Sequence, residues 1–313
     1  MDDDIWLDGV ARLDYFGAIL VSGVDAAAFL QSQLSSDFLA LGVDRARLAG
    51  FCSSKGRLQA TFVAFKRSET EIVLVCAADL LAATLKRLSM FVLRMKCQLR
   101  DTSAEIAVYG LAGRSAAEVL GTLPTWRCAR SEQGAAIRLP DSRGHALGLW
   151  VPDGAGNGAA PALPVLTQDH WRWLQVCSGL PVIEAATVDL FVPQMVNLEL
   201  LGGVDFKKGC YPGQEVVARS QYRGTVKRRM YLYDCGAPAL AGQEVFSGVD
   251  SDQPAGVVVN AALRPAQGGS TLLVSVKISD FDCGDLHLGA VAGPRLERRD
   301  LPYPIALPHS DVN

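Results

Sequence analysis

After about residue 226 the apolar pattern of this 313-residue chain changes period, and that change constrains the fold more than any other feature. Downstream, 230–233, 244–246, 255–259 and 272–278 are short strand-like runs between Gly, Pro and Asp turns. They predict a small all-β domain over 226–313. Upstream, strand-like and helix-like runs are mixed. Residues 17–21 form a short apolar run, after which Asp25 is placed to cap a helix with Phe29, Leu30 and Leu34 on one face. Residues 62–65 and 72–76 read as strands about the polar turn 66–71. Residues 80–95 read as a long helix, with Leu81, Leu85, Leu88 and Val92 three or four apart. The order lacks βαβα alternation and predicts α+β lobes, not a doubly wound sheet.

A second unit begins near Asp101, with a strand over 106–109 and a short helix over 115–120. The glycine-rich stretch 153–158, followed by Pro161 and Pro164, reads as a flexible loop. Thr167 can cap a helix carrying Trp171, Leu174 and Gln175, which stops at 179–181. The lobes then run approximately over 1–100 and 101–225, forming one module over 1–225. No internal repeat is evident in the sequence.

Hydrophobic residues at 49% and charged residues at 20% exclude a disordered chain. The apolar stretch 72–85 is interrupted by Asp79 and too short to span a bilayer, so no membrane partner is expected. Residues 1–4 are acidic where a secretory signal is basic, and a cytoplasmic location is expected. Of the eight cysteines no two are closer than the 21 residues between Cys76 and Cys97, and the four histidines are scattered. Those spacings remove the short zinc and cluster motifs, so no metal ligands are assigned and most cysteines are read as small core residues.

The net charge is −3, yet residues 207–229 carry Lys207, Lys208, Arg219, Arg223, Lys227, Arg228 and Arg229 against Glu215 alone, a local +6. Such a segment points to an anionic ligand, a local nucleic-acid contact or a solvated basic face. Within it lies KKGCYPGQE at 207–215. Gly209 and Gly213 let the backbone turn about Cys210, Pro212 stiffens the loop, and a helix can start at Gln214. A thiol beside a helix N-terminus and several cations favours its thiolate; the alternative is a buried structural cysteine.

This loop, continued to Arg219, resembles the K-G-C-Y-x-G-Q-E signature of the YgfZ family, folate-binding proteins similar to the T-protein of the glycine cleavage system. VSGVD at 21–25 with FLQ at 29–31, FCSSKGR at 51–57, GLPVI at 179–183 and FVPQ at 191–194 with Asn197 and Leu198 also fit. So do Tyr222, Arg223 and Gly224, KRR at 227–229 and LPY at 301–303. The resemblance implies ferredoxin-like lobes forming a GcvT-like module around a folate pocket, plus the C-terminal β-barrel. It also implies an accessory role in maintaining iron–sulfur enzymes, including those that thiomethylate tRNA. Iron–sulfur proteins or their assembly factors would then be the partners, with tRNA an indirect or weak one.

On that resemblance Cys210 is the functional thiol, within a site of Lys208, Tyr211, Gln214, Glu215 and Arg219. Handling sulfur, ligating iron transiently and forming a mixed disulfide all stay open. Trp171 matches a family tryptophan associated with tetrahydrofolate or a related reduced folate. Phe16 lies where some relatives carry a second tryptophan, and both rings could stack on the ligand. Cys177 stands where relatives often place a glutamate, which weakens the expected pterin recognition. The enzyme alternative is an aminomethyltransferase of the T-protein type. It is disfavoured because no carboxylate occurs over 51–68, where those enzymes carry their acid. A third reading, an RNA-binding module on 207–229, has only Tyr211 and Tyr222 as interleaved aromatics.

Overall fold

A computed structural model describes residues 7–153, 160–222, 226–248, 253–281 and 284–305. The acidic residues 2–4, the glycines of 154–158, Arg223, Gly224 and Cys283 lie outside the described residues.

The chain opens with β1 (Gly9–Arg12) and then builds the first lobe. Its elements are β2 (Phe16–Ser22), α1 (Ala26–Gln33), β3 (Ala46–Cys52), β4 (Leu58–Ser68), β5 (Glu71–Ala77), α2 (Ala78–Ser89) and β6 (Gln98–Asp101). The sheet is antiparallel in the order β3-β4-β5-β2-β6, a ferredoxin-like split βαβ arrangement with β3 added at one edge. Asp25 does not cap α1 with its side chain; its Oδ2 instead accepts from the Lys96 amide at 2.7 Å. Helix α2 ends at Ser89, not at 95. The segment 90–97 must return the chain to the free edge of β2, and it leaves Met90 and Leu93 exposed. The turn between β4 and β5 is only two residues long, because both strands extend into the polar stretch.

The second lobe comprises β7 (Tyr109–Ala112), α3 (Gly113–Leu120), β8 (Cys128–Ser131), β9 (Gly134–Arg138), β10 (Leu147–Pro152) and α4 (Gln168–Cys177). Its sheet order is β1-β7-β10-β9-β8. The connectivity repeats that of the first lobe, with β1 in the place that β6 holds there. The lobes are therefore an internal structural repeat without a matching sequence repeat. The N-terminal strand belongs to the second lobe, which corrects a clean division at residue 100.

Helix α4 is buried nearly all round, as a helix packed between two bodies must be. The Thr167 hydroxyl accepts from the His170 amide at 3.2 Å at its start, and Gly179 at φ +71° turns the chain beyond its end. One side packs on the second lobe. On the other, Trp173 Nε1 donates to Thr271 Oγ1 at 2.9 Å in the C-terminal sheet.

After α5 (Gln214–Tyr222) that sheet forms from β11 (Arg228–Cys235), β12 (Glu244–Ser247), β13 (Gly256–Leu263), β14 (Ser270–Lys277), β15 (Leu286–Leu288) and β16 (Leu296–Arg299). The order is β15-β12-β13-β14-β11-β16, and a bridge between His287 and Arg295 nearly closes it into a barrel. The chain is thus α+β with an all-β end, as the apolar pattern predicts, and the near closure of that sheet agrees with the barrel that the resemblance implies. The main apolar core continues across residue 226, from Leu7 in the first residues to Leu273 in β14.

A buried polar seam ties α5 to the barrel. Asn197 Nδ2 donates to the Met230 carbonyl at 2.7 Å, Gln194 Nε2 donates to Val217 O at 2.9 Å, and Arg229 pairs with Glu199. Gln194, Asn197 and Arg229 of the motifs are thus packing residues of this seam.

Candidate functional site

The motifs at 51–57 and 207–215, far apart in sequence, meet in space. Gly213 has φ +78°, and a Cβ there would lie 2.7 Å from the backbone of Gly56 and closer still to the Ser53 carbonyl. Gly56, at φ +71°, is equally tight against Val216 of α5. The β3–β4 turn is therefore locked to the start of α5, and Cys210 sits four residues ahead of that helix. By contrast, among the described residues nothing lies within 4 Å of a Cβ built at Gly209, so packing requires Gly213 and not Gly209.

Lys208 anchors the loop from the other side. Its Nζ donates to the carbonyls of Leu34, at 2.7 Å, and of Gln31 at the end of α1, where a cation suits the helix dipole. Burial pushes its pKa down to about 8. The same ammonium lies 4.8 Å over the Tyr211 ring. Tyr211 is buried, its phenol has no hydrogen-bond partner among the described residues, and burial raises its pKa. Gln214 Nε2 reaches the Lys208 carbonyl at 3.4 Å. Glu215 and Arg219 are exposed on α5.

Cys210 is exposed, whereas Cys52, Cys76, Cys97, Cys128, Cys177 and Cys235 are buried. Burial pushes Cys52, Cys76 and Cys177 up to about 12 and Cys128 to about 11, which keeps them as thiols. Among the described residues, several cations of the local +6 are taken up by partners. Arg229 is buried against Glu199, Arg228 donates to Ala255 O at 3.1 Å, and Lys208 is taken up by α1. Lys207, Arg219 and Lys227 remain exposed. Tertiary pairing, invisible in a charge count, makes the difference.

Trp171 and Phe16 do come together, at a small cavity between the lobes that Leu48, Thr61, Gln175 and Pro181 also line. Its volume is about 20 Å³, room for about one water. Trp171 is fully buried, donates from Nε1 to Leu111 O at 3.2 Å, and lies against Gly110 of β7, where any Cβ would overlap the indole. Among the described residues no carboxylate lines this cavity. As they stand, these residues do not fit a pteridine ring. Cys177 does not line the cavity; the polar side chain beside Trp171 is Gln175, one helical turn on, whose Oε1 accepts from Tyr15 OH at 3.0 Å.

The fold brings one carboxylate to the β3–β4 hairpin that a reading of 51–68 misses. Asp189 Oδ2 accepts from Gln59 Nε2 at 2.7 Å, while Arg57 Nη1 holds the neighbouring Leu190 carbonyl at 2.7 Å. Asp189 is exposed and outside the cavity wall, so it supplies no acid to the inter-lobe space. Its approach depends on a contact 130 residues away in sequence, which no local pattern encodes. Among the described residues no helix is long and apolar enough to cross a membrane.

The chain matches the GCVT N-terminal domain family over residues 9–133. Its backbone resembles that of the glycine cleavage system aminomethyltransferase T from Bartonella henselae, with a TM-score of 0.72 over 95% of this chain and 86% of that one. At 17% identity this likeness establishes the fold alone. The tRNA-modifying protein YgfZ of Edwardsiella ictaluri is 32% identical over 312 residues, covering 93% of this chain and 91% of that protein. The YgfZ proteins of Serratia proteamaculans and Colwellia psychrerythraea are 30% and 27% identical, over 94% and 93% of this chain and 92% of each protein. Identity of this extent, spanning both lobes and the barrel, makes the chain a member of the YgfZ tRNA-modifying protein family.

Proposed function

We propose that this protein is a cytoplasmic accessory factor for iron–sulfur enzymes, including those that thiomethylate tRNA, and that the Cys210 thiol is its functional centre. The carrying observation is that Cys210 is the exposed thiol among seven described cysteines, on a loop fastened from both sides. A buried structural cysteine would need no such presentation. The relatives named as tRNA-modifying proteins support the biological setting. Iron–sulfur proteins or their assembly factors are the proposed partners, and tRNA is reached through them. Residues 1–225 form the proposed folate-binding module and 226–313 the barrel domain.

A reduced folate belongs to the proposal as a ligand of the protein, supported by the match to the GCVT N-terminal domain family and not by the walls at Phe16 and Trp171. A transferase of the T-protein type is not favoured: 51–68 holds no carboxylate, and neither does the cavity wall.

The test is complementation in cells lacking the native protein, reading iron–sulfur enzyme activity in extracts. Wild type should restore it and Cys210→Ala should not, with the variant's thermal midpoint near wild type. Full restoration by Cys210→Ala would reject the proposal.

A further inference from the structure

We infer that the turn between α2 and β6, with the open edge of β6 beside it, is a docking surface for an acidic, extended segment of a partner protein. The inference goes beyond the Cys210 reading and does not rest on it. Lys208 holds the carbonyls at the end of α1, whereas this surface lies at the start of that helix and past the end of α2. The turn carries an apolar knuckle. Met90 is 61% and Leu93 86% exposed, and Phe91 is exposed between them. Exposed Val24 is brought to the same place by two hydrogen bonds of its neighbour Asp25. The Asp25 amide donates to the Lys96 carbonyl at 3.4 Å, and the Lys96 amide donates to Asp25 Oδ2 at 2.7 Å.

Leu93 is the unusual residue. The Met95 amide donates to the Val92 carbonyl at 2.9 Å, which closes a tight turn with Leu93 at its second position. There φ is +46°, a left-handed value that glycine adopts freely and an L-residue only at a cost. Val92 and Met95 on either side pack inward against the core, so the turn already makes its apolar contribution to folding. Strain that presents one more apolar side chain to solvent does not serve the fold. Such strain collects where a partner or ligand is held.

Charge and backbone together select the partner. Residues 80–100 hold five cations and no carboxylate. Arg100 pairs with Glu105, but among the described residues Lys86, Arg87, Arg94 and Lys96 are exposed and have no ion pair. The complementary surface is therefore acidic and carries apolar side chains. RNA and an anionic membrane also supply negative charge, but neither pairs with a strand. The strand β6 ends its sheet, is bonded to β2 alone among the described residues, and has Gln98, Arg100 and Asp101 exposed. An extended polypeptide can add to that edge as a further strand and lay its apolar side chains on the knuckle.

The test is selection of a random peptide library on the immobilised full chain, followed by calorimetry of the enriched peptide with wild type and variants. The enriched peptides should be acidic with apolar residues at alternate positions, and their binding should weaken as salt is raised. Leu93→Asp, and Arg94→Glu combined with Lys96→Glu, should each lose about tenfold in affinity. Leu93→Gly should lose a similar factor yet melt at or above the wild-type midpoint, because glycine accepts the turn without strain. The peptide N-methylated at alternate residues should fail to bind in one of the two frames, as pairing with β6 requires, and Cys210→Ala should bind as wild type. Vesicles of phosphatidylglycerol and unmodified tRNA are titrated as rival occupants. No enrichment of acidic peptides, an affinity that ignores Leu93→Asp, or unimpaired binding in both N-methylated frames would overturn the inference. So would a Leu93→Gly variant that melts below wild type, or tighter binding of vesicles or tRNA that Leu93→Asp abolishes.

Discussion

Gly213→Ala should cost far more than Gly209→Ala, although the two glycines flank the same cysteine. At Gly213 the backbone is left-handed, φ +78°, which costs an L-residue about 1–2 kcal/mol. The added Cβ would also lie 2.7 Å from Gly56, against the rigid β3–β4 turn rather than a pliant side chain. Overpacking of this kind costs about 1–3 kcal/mol. The sum is roughly 2–5 kcal/mol, unless the start of α5 detaches locally and relieves part of it. Among the described residues a Cβ added at Gly209 would meet nothing within 4 Å, so its substitution should stay within about 0.5 kcal/mol. Urea unfolding of both variants gives the two values, and alkylation of Cys210 in the folded state reports whether the loop has come free. Equal stabilities, or a Gly213→Ala loop with wild-type alkylation and an unchanged midpoint, would refute the docking of this loop on the hairpin.

Glu199→Gln should destabilise by about 3–5 kcal/mol in chemical denaturation, because it strands Arg229 in a buried site where both side chains are under 7% exposed. Trp171→Ala should cost about 3–5 kcal/mol through the cavity it leaves, and Trp171→Phe clearly less; a stable Trp171→Ala variant would contradict its core position. Lys208 has a pKa lowered from 10.5 to about 8, so between those values the unfolded chain holds a proton that the folded chain has lost. Stability contributed at this site therefore rises with pH across that window, and urea midpoints of wild type minus Lys208→Met should increase from pH 8 to 10.

The change of apolar period near 226 and the cap at Thr167 were readable because each is local: a side-chain pattern or one hydroxyl three residues from its amide. The KKGCYPGQE loop was equally legible, and α5 starts at Gln214 as its residues suggest. Pairing across the chain was not legible. Nothing in GVAR at 9–12 says that it will complete the second sheet, since either lobe offers an open edge. Nor does a run of cations reveal that Arg229 will be buried against Glu199 and Lys208 against α1. The helix that carries Trp171 is legible in the sequence, but its indole's burial on Gly110 depends on a close approach between distant backbones. That contact turns an expected stacking surface into a core residue with its N–H already bonded.

The central claim is that Cys210 serves function and not folding. Its most direct test is the amount of thiomethylated nucleosides in tRNA from cells lacking the native protein and expressing Cys210→Ala at the wild-type level. Mass spectrometry of the digested tRNA should show no recovery with Cys210→Ala and full recovery with wild type, while the purified variant melts near the wild-type midpoint. Full recovery with Cys210→Ala would contradict the claim, and so would a variant whose loss of function follows from unfolding.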